Sequence, residues 1–324
     1  MASNGFEKVT QIQDSFFISE KLLHAESMYA LIQAIGYIKF KVEKEFDGEY
    51  GIALRGQSRL YGDLPPSLFH GIKKQDARIK KQKNLKNLIE EMEDWAKKEY
   101  DKRPKKKYKN NLCGYLSIGA DDLEPLLQHY GVKTTCLDLV DNIWVALWFS
   151  CYKAVKYANE YCNYSLYQRR DLLMTNIGQF DKGIERYLSR SSSKKFNAGM
   201  KKYQELVQRK ESFCYIVMVK VPKKSNSPFQ LIDLRSKYPS IYLRPHAQHG
   251  LLLKKNAKCL QENPSYADQI EGIVQMRLNS ALSWLGESQT LSASMIFPSP
   301  VKDVGLQKLL RCDVLRPYLE IVTP

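Results

Sequence analysis

The chain has 324 residues, with 50 lysines and arginines against 35 aspartates and glutamates, which gives a formal net charge of +15. No apolar run reaches the roughly 18 residues that a membrane-spanning helix needs, and the first residues lack the charged and apolar regions of a secretory signal. This composition argues against a membrane protein, and we expect a cytoplasmic protein with one large domain or two modest ones.

Two further features of the composition bear on cofactors and partners. Seven scattered cysteines, never in Cys-x-x-Cys spacing, and five histidines predict reduced thiols and no structural metal. The excess positive charge favours a polyanionic partner such as nucleic acid. Because much of this charge lies in one run between residues 73 and 109, a plain solvated face explains it as well.

The first 48 residues are predicted to form an N-terminal helical segment. Across residues 14–37, apolar side chains recur at a spacing of about 3.6 residues, which is typical of an amphipathic helix. Ser19 is the predicted cap of this helix, and Gly36 is its predicted end.

Residues 50–57 predict a β-strand, because Ile52 and Leu54 alternate with small residues and with Arg55. This alternation places Arg55 on the face opposite the two aliphatic side chains. Gly62 and the pair Pro65-Pro66 predict an ordered turn, after which residues 68 and 69 begin a helix. An arginine at the end of a strand can grip a phosphate or carboxylate, and a surface salt bridge would explain it equally well.

The remainder of the chain predicts helices first and then widely spaced strands. Helical patterns cover residues 76–100, 123–129 and 145–157, and residues 163–211 predict two polar helices flanking a loop. Strands are predicted at residues 213–221, 231–233, 250–253, 270–276 and 293–298, with a closing helix at 301–310. The predicted fold class is α+β, with a central mostly antiparallel sheet, flanking helices and helical insertions.

Residues 126–151 combine a polar cluster with a strongly apolar run. The polar members are Gln128, His129, Thr134, Thr135, Asp138 and Asp141, and the apolar run covers residues 143–149. Burying such groups beside large apolar side chains is costly unless each polar group finds a partner. The stretch therefore predicts a specific hydrogen-bond network, either a site at the rim of the core or a set of helix caps and satisfied loops.

Three collinear segments resemble the FRG domain family, which is named for a Phe-Arg-Gly motif. They are LRGQSRLYGDLPPSLFHGI from residue 54, LLQHYGVKTTCLDLVDNIWVALWFS from residue 126, and RPHAQHGLLL from residue 244. The resemblance implies an FRG domain over residues 49–324, with insertions at about residues 73–111 and 163–212. Leu54 replaces the motif's Phe, and Thr135 and Cys136 stand where the family tends to have Arg and Leu.

FRG domains in turn resemble the ADP-ribosyltransferase superfamily in short motifs, which implies an ADP-ribosyltransferase-like fold and NAD as cofactor. The implied cofactor-binding residues are Arg55 for the pyrophosphate, with Gly56, Gln57, Tyr61, Tyr130 and Thr134. His129 would be the general base, Asp138 would fix its tautomer, and Gln248 would orient the acceptor. Glu271 or Glu287 could take the last of these roles.

Two functions follow from this resemblance and from the charge. One is an enzyme that uses NAD to modify a nucleic acid or protein, as a toxin or an anti-phage defence effector. The other is a non-catalytic basic module that binds nucleic acid or a nucleotide through the same residues. A hydrolase acting through Cys136 or His129 is a more distant third, since no diagnostic Ser/Cys–His–Asp spacing occurs.

Overall fold

An eight-stranded sheet organises the computed structural model, which describes residues 6, 11–101, 116, 118, 122–158, 163–173, 194–209, 211–224 and 228–323. In order across the sheet, the strands are β1 (Ser15–Phe17), β2 (Leu22–Ala25), β10 (Ile270–Arg277), β7 (Phe213–Pro222), β3 (Tyr50–Gln57), β4 (Leu137–Val140), β9 (Gly250–Lys255) and β8 (Phe229–Asp233). Within this sheet, β10 and β2 are parallel and the other neighbouring strands are antiparallel. A mixed fold with a mostly antiparallel sheet is therefore present, as predicted.

A smaller sheet and eleven helices complete the described part of the chain. The smaller sheet has the order β11 (Glu320–Thr323), β6 (Asn163–Arg169) and β5 (Tyr152–Ala158). The helices are α1 (Met28–Glu45), α2 (Gln75–Asp101), α3 (Leu123–His129), α4 (Ile143–Cys151), α5 (Lys194–Gln208), α6 (Leu234–Lys237), α7 (Leu243–Ala247), α8 (Ala257–Glu262), α9 (Leu278–Trp284), α10 (Ala293–Ile296) and α11 (Val304–Leu310). No helix among the described residues is both long enough and apolar enough to cross a membrane.

Both faces of the large sheet are buried. Helices α1, α4 and α9 cover one face, where Leu31, Trp148 and Leu282 are buried in a single cluster. Helix α5 and the segment after β3 cover the opposite face, with Tyr203 and Leu64 in the cluster there. A third cluster joins α2, α3 and α11. The sheet thus separates two layers, and residues that alternate along β3 face different layers.

The N-terminal prediction was wrong at both ends, because two strands precede α1 and because α1 continues through Gly36 to Glu45. Residues 15–25 form β1 and β2, and α1 begins only at Met28, where Ser27 Oγ accepts a hydrogen bond from the backbone N–H of Ala30. Ser19 Oγ accepts from Leu22 N–H in the turn between the two strands, so it is not a helix cap. Pairing of β2 with β10, which is distant in sequence, overrides the local helical pattern.

Four other secondary-structure predictions were also wrong. Helix α4 ends at Cys151, and the following residues enter β5, where Tyr152 stacks on Trp148 at a ring separation of 4.4 Å. Residues 163–169 are a strand rather than a polar helix, because they pair with both β5 and β11. Residues 293–296 form α10 instead of a strand, and Ser67–Phe69 is a single 3₁₀ turn. The predicted loop at residues 191–193 and the basic run at 102–109 lie outside the described residues.

Candidate functional site

The candidate site begins at the end of β3, where the side chains alternate between the two layers of the fold. Ile52 and Leu54 point into the cluster under α1 and α4. Arg55 and Gln57 point to the other side, as the alternation predicted, and both line a cleft. The cleft has a volume of about 420 Å³ and is lined by Arg55, Gln57, Tyr61, Gly62, Asp63, Leu64, Pro65, His70 and Gly71.

Gly56 lies between these two residues and faces the helix rather than the cleft. A Cβ atom at this position would lie 1.8 Å from the carbonyl oxygen of Ala146 in α4. The absence of a side chain therefore allows α4 to contact β3 directly. The structure gives Gly56 a packing role, and the prediction that it binds a cofactor is untested.

Arg55 is held in place by a strand that diverges from its own. The ladder between β3 and β4 pairs Leu54 with Val140, and one residue further along β3 the Arg55 Nη1 donates to the backbone oxygen of Asp138 at 2.7 Å. Burial lowers the pKa of Arg55, an effect that the nearby charges of Asp138 and Tyr61 oppose. The guanidinium remains cationic at neutral pH because its reference pKa exceeds 12.

Two polar atoms beside the cleft are buried without a hydrogen-bond partner among the described residues. They are Arg55 Nε, a donor, and Gln57 Oε1, an acceptor. Gln57 is only 5% exposed, so bulk water does not solvate its side chain freely. Buried polar groups in native proteins usually have partners, so two unpaired polar atoms in residues of the cleft lining are unusual.

His70 also lines the cleft, and the sequence reasoning did not assign it a role. Its Nε2 lies 3.2 Å from the backbone oxygen of Pro65, which can only accept a hydrogen bond, so Nε2 carries the proton. The lone pair of the neutral ring is then on Nδ1. Burial, followed by the charge of Arg55, lowers the pKa of His70. A histidine directly after the Pro-Pro-Ser-Leu-Phe element was the available signal.

His129, Asp138 and Gln248 come together behind the cleft. His129 Nε2 lies 3.8 Å from Asp138 Oδ1, and a Cβ atom at Gly250 would lie 2.4 Å from its ring. Burial lowers the pKa of His129, an effect opposed by Asp138 and Gln248. Gln248 Nε2 donates to the backbone oxygen of Ile296 at 3.2 Å. The predicted trio is contiguous, but His129 is buried and is not part of the cleft lining.

Tyr130 and Thr134 lie in the protein interior, away from the cleft lining. The Tyr130 hydroxyl donates to Asp303 Oδ2 at 2.8 Å, and its ring packs under the guanidinium of Arg244. The Thr134 hydroxyl donates to Gln128 Oε1 and accepts from the backbone N–H of Cys136. Both hydroxyls are thus used inside the protein, where a ligand in the cleft does not reach them in this conformation.

The remaining predicted residues divide in the same way. Tyr61 lines the cleft and is 52% exposed, so its ring is accessible to a ligand. Glu271 is buried and pairs with Lys220 Nζ at 3.2 Å, and Lys220 lies over the rings of Phe46 and Tyr50 in the layer opposite Arg55. Glu287 pairs with Arg169. Neither glutamate belongs to the cleft lining.

Arg244 is the main structural residue that the motif comparison did not single out. It is 1% exposed and donates to the backbone oxygens of His129 and Glu320, at 2.9 Å and 3.0 Å. Its guanidinium also lies over the rings of Tyr130 and Phe297. Arg244 therefore ties the end of α3 to β11 and fixes the backbone that carries His129.

Among the described residues, no group of three or more His, Cys, Asp or Glu side chains could hold a metal ion.

Comparison with known protein families identifies a domain in this chain. The FRG domain matches residues 51–159, a range that includes β3, the cleft lining, α3, β4 and α4. No curated protein and no solved structure matches the chain. The Gln248 element lies beyond the matched range. Residues 51–159 of this chain are an FRG domain, and Arg55, Gln57 and His70 of its cleft lie within it.

Proposed function

We propose that the FRG domain binds NAD in the cleft at the end of β3 and transfers its ADP-ribose group to an acceptor. The observation that carries the proposal is Arg55, a cation oriented by the Asp138 carbonyl in a cleft of about 420 Å³. That volume falls within the range of small-molecule sites, and an oriented guanidinium suits a pyrophosphate. Arg55 and Gln57 each have a buried polar atom without a partner, and leaving such an atom unpaired costs free energy.

The cleft residues divide the work of the reaction. NAD supplies a nicotinamide–ribose bond that breaks with the electron pair leaving on nicotinamide, while the acceptor oxygen or nitrogen bonds to the ribose carbon. Arg55 holds the anionic part of the substrate, and the exposed ring of Tyr61 stacks on a planar group. His70 Nδ1 takes the proton that the acceptor loses, since its lone pair is free and its ring lines the cleft. His129 does not contact the substrate, and its ring helps to position the side chain of Asp138.

The test is release of nicotinamide and transfer of label from radiolabelled NAD, with DNA, RNA and cell lysate as acceptors. We expect Arg55→Ala to lower turnover by about 100-fold or more, as loss of a charge-stabilising donor does in other enzymes. Arg209→Ala, at an exposed arginine just beyond α5, should leave turnover unchanged and serves as the matched control. No turnover by the folded wild-type protein with any acceptor would reject the transferase.

A comparison of the two histidines separates the proton acceptor from the supporting residue. His70→Asn should reduce turnover by about 100-fold or more while NAD binding changes only a few-fold, which is the pattern of a general base. His129→Asn should instead lower the melting temperature, because the ring is buried against Gly250. If His129→Asn abolished turnover in a fully stable protein and His70→Asn did not, the assignment of the base would be wrong.

A second candidate function, a nucleic-acid-binding module, is favoured by the charge of the first half of α2. Between residues 73 and 86 the chain has seven basic residues and one acidic one. The lysines at 73, 74, 80, 81 and 83 are exposed and make no ion pair with other residues in the described ranges. Lys74 and Arg78 flank the first turn of α2, where the helix dipole disfavours cations. A polyanion beside the cleft would neutralise the exposed lysines and would also offset the unfavourable position of Lys74 and Arg78 at the start of the helix.

The salt dependence of binding to a single-stranded oligonucleotide tests this second function. Lys80→Gln combined with Lys83→Gln should weaken binding and reduce the salt slope by about one to two units, since each lysine neutralises about one phosphate. Lys97→Gln combined with Lys98→Gln, in the acidic second half of the same helix, is the control and should change neither quantity. Equal effects of the two double variants would reject a binding surface at the start of α2.

A further inference from the structure

Gln57 differs from the other buried glutamines of the described chain. Gln275 pairs with His24 and Tyr215, Gln128 pairs with Cys136 and Thr134, and Gln248 pairs with Ile296. Gln57 is equally buried, yet its Oε1 atom has no partner among the described residues. Leaving an amide oxygen buried and unpaired costs stability, so a structural role does not account for this side chain.

The unpaired oxygen is buried, but it belongs to a side chain that lines the cleft. Gln57 lines the cleft together with Arg55, two residues earlier on the same face of β3. The rise of a strand places the two Cα atoms about 6.6 Å apart. Arg55 Nε is the second unpaired buried atom of this face, and it is a donor. The residues of the cleft wall thus carry one unpaired acceptor and one unpaired donor, two positions apart on the same strand face.

The rim of the cleft adds a flat surface to this pair. Tyr61 follows β3 directly, lines the cleft and exposes about half of its side chain. A planar ring that packs against Tyr61 can direct a substituent toward Gln57, and only a substituent with an N–H group can donate to Oε1. A carboxylate or phosphate at the same place would bring a second acceptor against the amide oxygen and is disfavoured.

We propose that Gln57 is a specificity-determining residue, which accepts a hydrogen bond from the amide or exocyclic amine of a planar heteroaromatic ring, while Arg55 Nε donates to an acceptor atom of the same ligand. This inference rests on the proposed nucleotide-binding function of the cleft and names the part of the ligand that is recognised. The two atoms together select a ring that carries an N–H substituent over an analogue that lacks this substituent.

Titration calorimetry with two matched ligand pairs tests the inference. The first pair is NAD and nicotinic acid adenine dinucleotide, which has a carboxylate in place of the carboxamide. The second pair is adenosine and purine riboside, which lacks the exocyclic amine. We expect the wild type to bind NAD or adenosine, the members that carry an N–H substituent, 10-fold or more tightly than the matched analogue in at least one pair. Gln57→Leu should lose that preference. Gln230→Leu, on the exposed side of β8, is the matched control and should keep it.

The melting temperature without ligand separates recognition from a structural role. Gln57→Leu removes an unpaired buried acceptor and keeps similar volume, so the ligand-free melting temperature should stay level or rise. Gln57→Glu keeps an acceptor oxygen at this position, so at pH 8 it should retain the preference for NAD and further weaken binding of the carboxylate analogue.

The outcomes distinguish this inference from the proposed function. NAD binding with no preference in the wild type, or with a preference that survives in Gln57→Leu, overturns the inference and leaves the proposed function intact. A Gln57-dependent preference for adenosine, without binding of either dinucleotide, supports the inference and removes NAD from the proposed function. A lower melting temperature of Gln57→Leu together with unchanged ligand preference would assign the side chain to the core. A protein that binds none of the four ligands overturns the inference.

Discussion

Gly56→Ala is the substitution that most directly tests how the FRG strand is built. The added Cβ atom would lie 1.8 Å from the Ala146 carbonyl oxygen and 2.9 Å from both the Ala146 carbonyl carbon and the Ser150 nitrogen. Ordinary contact begins at about 3.4 Å, so α4 would have to move away from β3 by about 1.6 Å. All three neighbouring atoms belong to the backbone, and no side-chain rotation can relieve the clash.

The cost follows from what α4 is packed against. Its residues Val145, Ala146, Leu147 and Trp148 are buried, and Trp148 stacks with Tyr152 and contacts Phe297. A gap of that size forfeits much of the dispersion energy along the interface. Overpacking of a core usually costs about 1–3 kcal/mol, and a clash with backbone belongs at or above the upper end. We therefore expect Gly56→Ala to lower the free energy of unfolding by about 3 kcal/mol.

Urea unfolding followed by circular dichroism measures this difference. With a slope of about 3 kcal/mol per molar urea, the midpoint should fall by about 1 M. Gly36→Ala is the control, because Gly36 lies in α1 with no atom within 4 Å of its Cβ position. That substitution should raise stability by about 0.5–1 kcal/mol. A Gly56→Ala protein as stable as the wild type would refute direct contact between α4 and β3.

Two further predictions concern buried basic side chains. Arg244→Lys should lower the free energy of unfolding by about 2–4 kcal/mol in urea titrations, because lysine cannot reach both the His129 and Glu320 carbonyls, and wild-type stability would contradict this. Burial lowers the pKa of His24 to about 4, below its unfolded value of 6.5, so the unfolded chain takes up the proton first. Stability should be full above pH 6.5 and fall toward pH 4 by about 1.4 kcal/mol per pH unit, and His24→Gln should flatten that slope.

Local patterns were sufficient to predict three elements of the fold. The alternation in residues 50–57 predicted β3 with its ends at Tyr50 and Gln57 and placed Arg55 opposite Ile52 and Leu54. Helix α3 and strand β7 were also predicted nearly to the residue. In each case one strong periodicity is bounded by turn residues, and the tertiary partners reinforce the local preference.

The errors come from pairing with strands that lie outside the segment itself. Residues 15–25 have apolar residues at helical spacing, but β2 pairs with β1 on one side and with β10 on the other. The paired residues of β10 lie about 250 positions further along the chain. Residues 152–158 continue the apolar pattern of α4 and become a strand because residues 163–169 pair with them. No pattern within either segment encodes this pairing, so the sequence alone favours the helix.

The same distinction explains which of the predicted site residues line the cleft. Arg55, Gln57 and Tyr61 follow one another along a strand and the turn after it, and alternation in the strand predicted the face of Arg55. Tyr130 and Thr134 were assigned to the site through the family resemblance, but the structure buries both side chains away from the cleft lining. His70 was overlooked because it joins the cleft only through the turn that Pro65 closes.

The cleft itself results from where two strands part. Strands β3 and β4 share the Leu54–Val140 pair, and β4 then follows β9 across the sheet. The next residue of β3 would leave the carbonyl of Asp138 unpaired at the sheet interior, and the Arg55 guanidinium satisfies it. This hydrogen bond closes the opening between the strands and at the same time fixes the cation that faces the cleft. Arg55 therefore contributes both to the contact between the two strands and to the proposed ligand site. Substitution of Arg55 by Lys should weaken both stability and binding.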